Sequence, residues 1–307
     1  MEKYTKINTL YKRYLIDKEM SETIPDTDWL KFKNKIIMGD FSDPIMEYLK
    51  NNPMEAYEKI DGTNSKIAYY PSKGICKVGG KTDNAESQSG QFEFLTEIAE
   101  RILPQLKEMF PKECAKFKPI KDIETNKFKF YAPILDETNR FKGWYDVNEV
   151  ALLDGIYGVN VEEVPIYIYG EYYGKGITKV GKRYSNENDF IVFDINQQGW
   201  WLPCDLRNEI CNKLCLQQVP SLGTMTINEA EKVVSEGFKT HLNAVDPTLL
   251  AEGIVLRCGF DLKTHSDKRV IVKIKHVDYK AYNDVRKQFT NEEFEKFNKW
   301  YNSYSEK

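Results

Sequence analysis

Three short apolar runs follow one another with only turn residues between them: MEAYEKI (54–60), SKIAYYP (65–71) and GICKVGG (74–80). Gly62-Thr63-Asn64 and Ser72-Lys73-Gly74 separate them, and these residue types close tight turns. Short runs bounded by turn chemistry read as strands. Further strands are predicted at 165–171 (PIYIYGE), 190–195 (FIVFDI), 252–258 (EGIVLRC) and 269–275 (RVIVKIK). Helical spacing marks 91–110, with Phe94, Ile98, Ile102 and Leu106 on one stripe and a kink or break expected at Pro104. Helices are also predicted at about 205–216, at 226–236 with Thr226 and Glu229 as a capping box, and in the aromatic tail 278–302. Strands and helices do not alternate regularly, so the fold class is α+β and not a doubly wound parallel sheet.

A chain of 307 residues with 41% hydrophobic and 13% aromatic content can bury one large core or two modest ones. Lys+Arg 44 against Asp+Glu 47 leaves a net charge of −3, which excludes a polycation; a polyanion must meet a local basic patch. The stretch KECAKFKPIKDIETNKFKF (112–130) mixes lysines with aromatics, as a strand-binding surface or an exposed insertion would. The polar N-terminus and the lack of a membrane-length apolar run lead to the expectation of a cytoplasmic protein without membrane contact. The six cysteines are scattered, which reads as reduced thiols; Cys211 and Cys215 have helical spacing, and no CxxC pair suggests zinc.

The charged residues at strand ends carry the chemistry. They are Lys59 in KIDG, Lys81 in GGKTDN, Glu171 in YGEYYG, Glu252 in EGIVLR, and Lys273 with Lys275 in VKIK. Singly each has an ordinary explanation. A lysine–any–aspartate–glycine string arises by chance in roughly one chain in ten to twenty of this length. Lys273 and Lys275 alternate with Val272 and Ile274, as on any half-exposed strand.

In this order, however, the series resembles the covalent nucleotidyltransferase superfamily of ATP-dependent DNA ligases, RNA ligases and capping enzymes. KIDG is similar to its nucleotidyl-lysine motif and YGEYYG to the third motif. NDFIVFDI is similar to the adjoining base-stacking motif, EGIVLR to the fourth and VIVKIK to the fifth. EKIDGTN and DFIVFDI most resemble the RNA ligase 2 branch. That branch often has histidine at Asp61 and arginine at Lys81, so the chain departs from it there; aspartate at the first of these positions is common in DNA ligases.

The resemblance implies a nucleotidyltransferase (adenylation) fold of antiparallel sheets flanked by helices around a central nucleotide cleft. The domain reading is an N-terminal extension, partly helical, over 1–50; a catalytic domain over 51–277 with an insertion at about 105–160; and a short helical tail over 278–307. It further implies Lys59 as the nucleophile, Glu58 on the adenine amino group, and Asp61, Gly62 and Asn64 shaping the loop behind the nucleophile. Lys81 would lie near the ribose and the nucleic-acid terminus, Glu171 on the ribose hydroxyls, and Phe193 stacked on the base. Glu252 would bind metal or orient the lysine, Glu171 would be a second metal candidate, and Lys273 and Lys275 would neutralise phosphate. The implied cofactors are ATP and Mg²⁺ (or Mn²⁺), and the implied partner is nucleic acid, RNA first.

The chemistry explains the clustering. A lysine amine with a pKa near ~10.4 must lose its proton to attack phosphorus. Nearby cations and burial lower that pKa. Lysines converging on one point repel until a triphosphate arrives. The 32 residues after Lys275 are too few for the OB domain that DNA ligases and capping enzymes carry there. The expectation is therefore an RNA ligase, with a nick-sealing DNA ligase as the alternative and a non-catalytic nucleic-acid-binding protein as the alternative of another class.

Overall fold

The computed structural model describes residues 4–80, 92–118, 131–135, 141–146, 162–265 and 268–305. Lys81 and most of the 105–160 insertion lie outside the described residues. The chain forms two compact units, each assembled from separate stretches. The first takes Met1–Tyr4, Gly62–Tyr173 and Asn188–Gln218; the second takes Thr5–Asp61, Gly174–Glu187 and Val219–Lys307.

The second unit is built on a five-stranded sheet in the order Asn8–Thr9, Ile271–Lys275, Gly253–Arg257, Met54–Lys59, Ser221–Met225. Every pair is antiparallel except the first, where Asn8–Thr9 runs parallel to Val272–Lys273. The period-2 alternation divides each strand between two faces. Met54, Ala56, Ile254, Leu256, Val272 and Ile274 form one face and are buried among Ile227, Ala230 and Val234 of the helix Ile227–Glu236 and Tyr279 of the helix His276–Arg286. The helix Ile227–Glu236 begins as its sequence predicts: the Thr226 hydroxyl accepts from the Glu229 N–H, and the Glu229 carboxylate accepts from the Thr226 N–H. The other sheet face carries Tyr57, Lys59, Val255, Lys273 and Lys275.

The segments at the two ends of this unit share a core of their own. Tyr14, Ile16, Met20, Trp29 and Phe32 pack with Phe297 and Tyr301 of the helix Asn291–Ser305. Phe32 and Phe297 stack with centroids 4.6 Å apart. Between residues 1 and 50 the structure has strands as well as the expected helical pieces, at Tyr11–Arg13 and Ile36–Phe41 in addition to Asn8–Thr9.

The first unit centres on a six-stranded sheet. Its main path runs Trp200–Trp201, Asp189–Gln197, Ile166–Tyr173, Thr63–Tyr70, Ile75–Gly80, with Gln217–Gln218 pairing alongside Asp189–Gln197. The helix Glu93–Met109 packs along this sheet through buried Leu95, Ile98, Ala99, Ile102 and Leu106. The sequence predicts a kink or break at Pro104, and of the two the break does not occur: the helix continues past it. An interior proline costs about 3 kcal/mol. Each large apolar side chain buried on the stripe contributes roughly 1.5–3 kcal/mol, so packing outweighs the lost hydrogen bond. On the opposite sheet face, Tyr4 packs against Tyr169, Phe193 and Trp201 and donates to Asp194 at 2.9 Å. Among the described residues, no helix is long and apolar enough to cross a membrane.

Candidate active site

In the second unit the register places Lys59 opposite Gly253, and Gly253 opposite Lys275. The two lysines thus flank one glycine on the same face. A Cβ on Gly253 would lie 1.9 Å from the Ile274 carbonyl oxygen, so the three strands can close up only around glycine. The residue just before it, Glu252, sits between the two cations. Lys59 Nζ donates to Glu252 Oε2 at 2.7 Å, and Lys275 Nζ reaches Oε1 at 2.5 Å. Lys59 Nζ also donates to the Ile60 carbonyl at 3.2 Å. Lys59 and Glu252 keep only 19% and 16% of their side-chain exposure, so solvent screens this pair weakly. The Glu252 backbone is fixed as well, since its carbonyl accepts from the His276 N–H at 3.0 Å. Lys273 lies one row further along the same face, opposite Val255.

Asp61 is drawn into this group from the turn after Lys59. Burial raises its pKa above the ordinary carboxylate value and the Glu252 carboxylate raises it further, while Lys59 and Lys275 oppose both. The cluster therefore holds Lys59, Lys275, Asp61 and Glu252 in mutual electrostatic contact. Carboxylate oxygens are the donors that Mg²⁺ or Mn²⁺ prefers, and one or two suffice when phosphate supplies the rest, so Asp61 and Glu252 fit a hard divalent ion. Among the described residues there is no group of three or more His, Cys, Asp or Glu side chains that could hold a metal by themselves.

Glu58 points the other way. It alternates with Lys59 onto the apolar face, opposite Ile254, and is 1% exposed. Thr240 Oγ1 donates to its Oε1, and the His241 backbone N–H donates to Oε2 at 2.7 Å. Thr240 and His241 went unnoticed in the sequence. The sequence signals the need but not the partners: Met54, Ala56 and Glu58 share one parity on a strand, and a carboxylate on a core face requires donors. Tyr184 is a second omission. It is buried, and its hydroxyl meets the backbone of Asp61. Burial is the main cause holding this phenol well above its ordinary pKa.

In the first unit, Asn64 and Glu171 are direct cross-strand partners. Gly62 lies under them: a Cβ there would come within 2.5 Å of the Tyr172 carbonyl oxygen and 2.7 Å of Glu171 Cγ. Phe193 is half-buried, with the Tyr4 ring edge-on at 5.0 Å and its own carbonyl accepting from Arg207 Nη1 at 2.9 Å. Since Tyr4 touches Tyr169 and Phe193 together, and Tyr169 shares its strand face with Glu171, Phe193 and Glu171 lie on one face of that sheet.

Comparison with known proteins gives the family. The sequence profile of the RNA ligase family matches residues 52–275, from the start of the lysine strand to Lys275. No curated protein matches the chain by sequence. Solved structures of Naegleria gruberi RNA ligase are similar in fold. An aspartate-to-alanine mutant without ligand has 14% identity and a TM-score of 0.44, covering 78% of this chain and 54% of that one. A lysine-to-alanine mutant with ATP and Mn gives the same identity, score and coverage. A lysine-to-methionine mutant with AMP and Mn has 15% identity and a TM-score of 0.43, covering 78% and 55%. The chain thus spans about half the length of those ligases. On the profile match, which takes in most of its residues, the chain belongs to the RNA ligase family.

Proposed function

We propose that this chain is an ATP-dependent RNA ligase that joins a 3′-hydroxyl end to a 5′-phosphate end through a lysyl-AMP intermediate. The observation that carries the reading is the Lys59–Glu252–Lys275 group, in which one carboxylate is held between a weakly screened amine and a second cation. The Lys59 amine attacks the α-phosphorus; a P–N bond forms, the α–β P–O bond breaks and pyrophosphate leaves. The AMP then passes to a 5′-phosphate, restoring Lys59. Attack by the 3′-hydroxyl forms the phosphodiester and releases AMP.

Each side chain has a task in the first step. Glu252 fixes the Nζ of Lys59 and touches the proton that must leave. Lys275 places a second positive charge beside the same carboxylate, where it offsets charge on the phosphates. Lys273, one row away, extends that positive edge. Asp61, Gly62 and Asn64 shape the turn behind the nucleophile. Glu171 is assigned to the ribose hydroxyls and Phe193 to the base. A divalent ion held by Glu252 with Asp61 would supply charge neutralisation at the triphosphate.

The test is incubation with α-labelled ATP or GTP and Mg²⁺, followed by a denaturing gel. The expected outcome is label from ATP retained on the protein and lost in Lys59→Ala. Label from neither nucleotide sinks the enzyme reading. Nicked duplexes and single strands of RNA and DNA then separate RNA joining from DNA nick sealing, to which Asp61 inclines by its resemblance.

A further inference from the structure

We infer that Glu58 is a positioning residue, which aligns Lys59 and Glu252 through the loop that follows the helix Ile227–Glu236, and is not a contact to the base. The inference rests on the ligase reading of Lys59.

The loop is an arch with a zipped neck. Thr240 N–H donates to the Leu249 carbonyl at 3.0 Å and Ala251 N–H to the Phe238 carbonyl at 2.9 Å, with Lys239 and Leu250 bridged between them. Its tip is tied down too. Val245 and Asp246 donate their N–H groups to the Tyr184 and Arg183 carbonyls at 3.1 and 3.0 Å, and Arg183 Nε returns to the Asp246 carboxylate at 2.8 Å. Between neck and tip, the Glu58 carboxylate takes the Thr240 hydroxyl and the His241 N–H, with His241 Nδ1 3.5 Å away. The side chain of Glu58 has no exposure.

These contacts close a circuit. Glu58 adjoins Lys59 in the chain, Thr240 leads through the neck to Ala251, and Ala251 adjoins Glu252, which holds the Lys59 amine at 2.7 Å. A carboxylate is costly to bury unless it is hydrogen-bonded, and turning Glu58 away would leave its two loop donors without their acceptor. To reach a base, Glu58 would have to give up both loop donors. As a fixed acceptor it instead sets where Ala251 emerges and so where Glu252 meets the amine. Misplacing a reacting group by about 1 Å can cost on the order of 100-fold in rate.

The experiment measures self-adenylylation by the full chain at varied ATP for wild type, Thr240→Val, Thr240→Ser, Glu58→Gln and the Glu58→Gln/Thr240→Val double variant. Thr240→Val should lower kcat by about 10-fold or more with the KM for ATP within about 2-fold, and Thr240→Ser should restore it. The double variant should be no worse than the poorer single one, because both changes break the same link. Thermal melts identify any variant that fails to fold; if Glu58→Gln does, the Thr240 pair carries the test alone. Normal labelling by Thr240→Val, or a Glu58→Gln defect confined to the KM for ATP, overturns the inference while leaving the ligase reading intact. A wild-type chain that takes no label overturns both.

Discussion

Asp61 is the residue at which stability and the proposed activity pull in opposite directions. Its raised pKa comes first from burial and then from Glu252. A carboxylate whose folded pKa lies above its unfolded value binds more protons in the native state across that window. Stability therefore falls as pH rises from the ordinary carboxylate range through the raised value, and the loss persists at neutral pH. Asp61→Asn should raise Tm by a few degrees at pH 7 and flatten the acid-side dependence of Tm on pH, while slowing self-adenylylation; paired melts and labelling between pH 4 and 8 check this. An unchanged or lower Tm would count against a charge penalty at this position. At this scale the sequence was eloquent about types and silent about partners. KIDG, EGIVLR and VKIK name Lys59, Glu252 and Lys275, and strand register alone brings them together. Thr240 and His241 escaped because a tertiary hydrogen bond to Glu58, far away in the chain, leaves no local pattern.

At the scale of elements, alternation and capping were readable wherever one face meets a core. The strands Met54–Lys59, Gly253–Arg257 and Ile271–Lys275 and the helix Ile227–Glu236 fall within the segments that their periodicity predicts. The helix runs unbroken through Pro104, because the missing N–H is a local loss and the sheet against which the helix packs is not a local feature. The short strands before residue 50 are a second case, since two or three residues such as Asn8–Thr9 carry no period of their own and owe their conformation to Val272 and Lys273. The helix Asn291–Ser305 is held by Phe297, which is fully buried among Tyr14, Trp29 and Phe32. Phe297→Ala should lower the stability of the chain by about 3–5 kcal/mol in urea unfolding. A loss under 1 kcal/mol would mean that this aromatic core contributes little.

Taken as a whole, the molecule carries a net charge of −3 but gathers Lys59, Lys273 and Lys275 on one sheet face. Lys59 and Lys275 share a single carboxylate, Glu252, and a polyphosphate brings further negative charge to this face, so binding should appear as stability. ATP at about 100 times its Kd should stabilise the folded chain by about 2.7 kcal/mol, read as a rise in Tm by scanning fluorimetry. Lys275→Ala should remove most of that rise, and added salt should diminish it; a shift that ignores both would place the phosphates elsewhere.

The sheet that carries these lysines also has a history in time. Its Met54–Lys59 strand is made early, yet its neighbours Gly253–Arg257 and Ile271–Lys275 come long afterwards. Chains are synthesised at about 5–20 residues per second and their parts fold as they emerge. The stretch Gly62–Gln218, which supplies most of the first unit, is complete while the lysine strand still lacks the partner that bears Glu252. A nascent or prematurely stopped chain thus has Lys59 without Glu252 or Lys275, and the proposed site is assembled in one step, when residues 252–275 join the sheet.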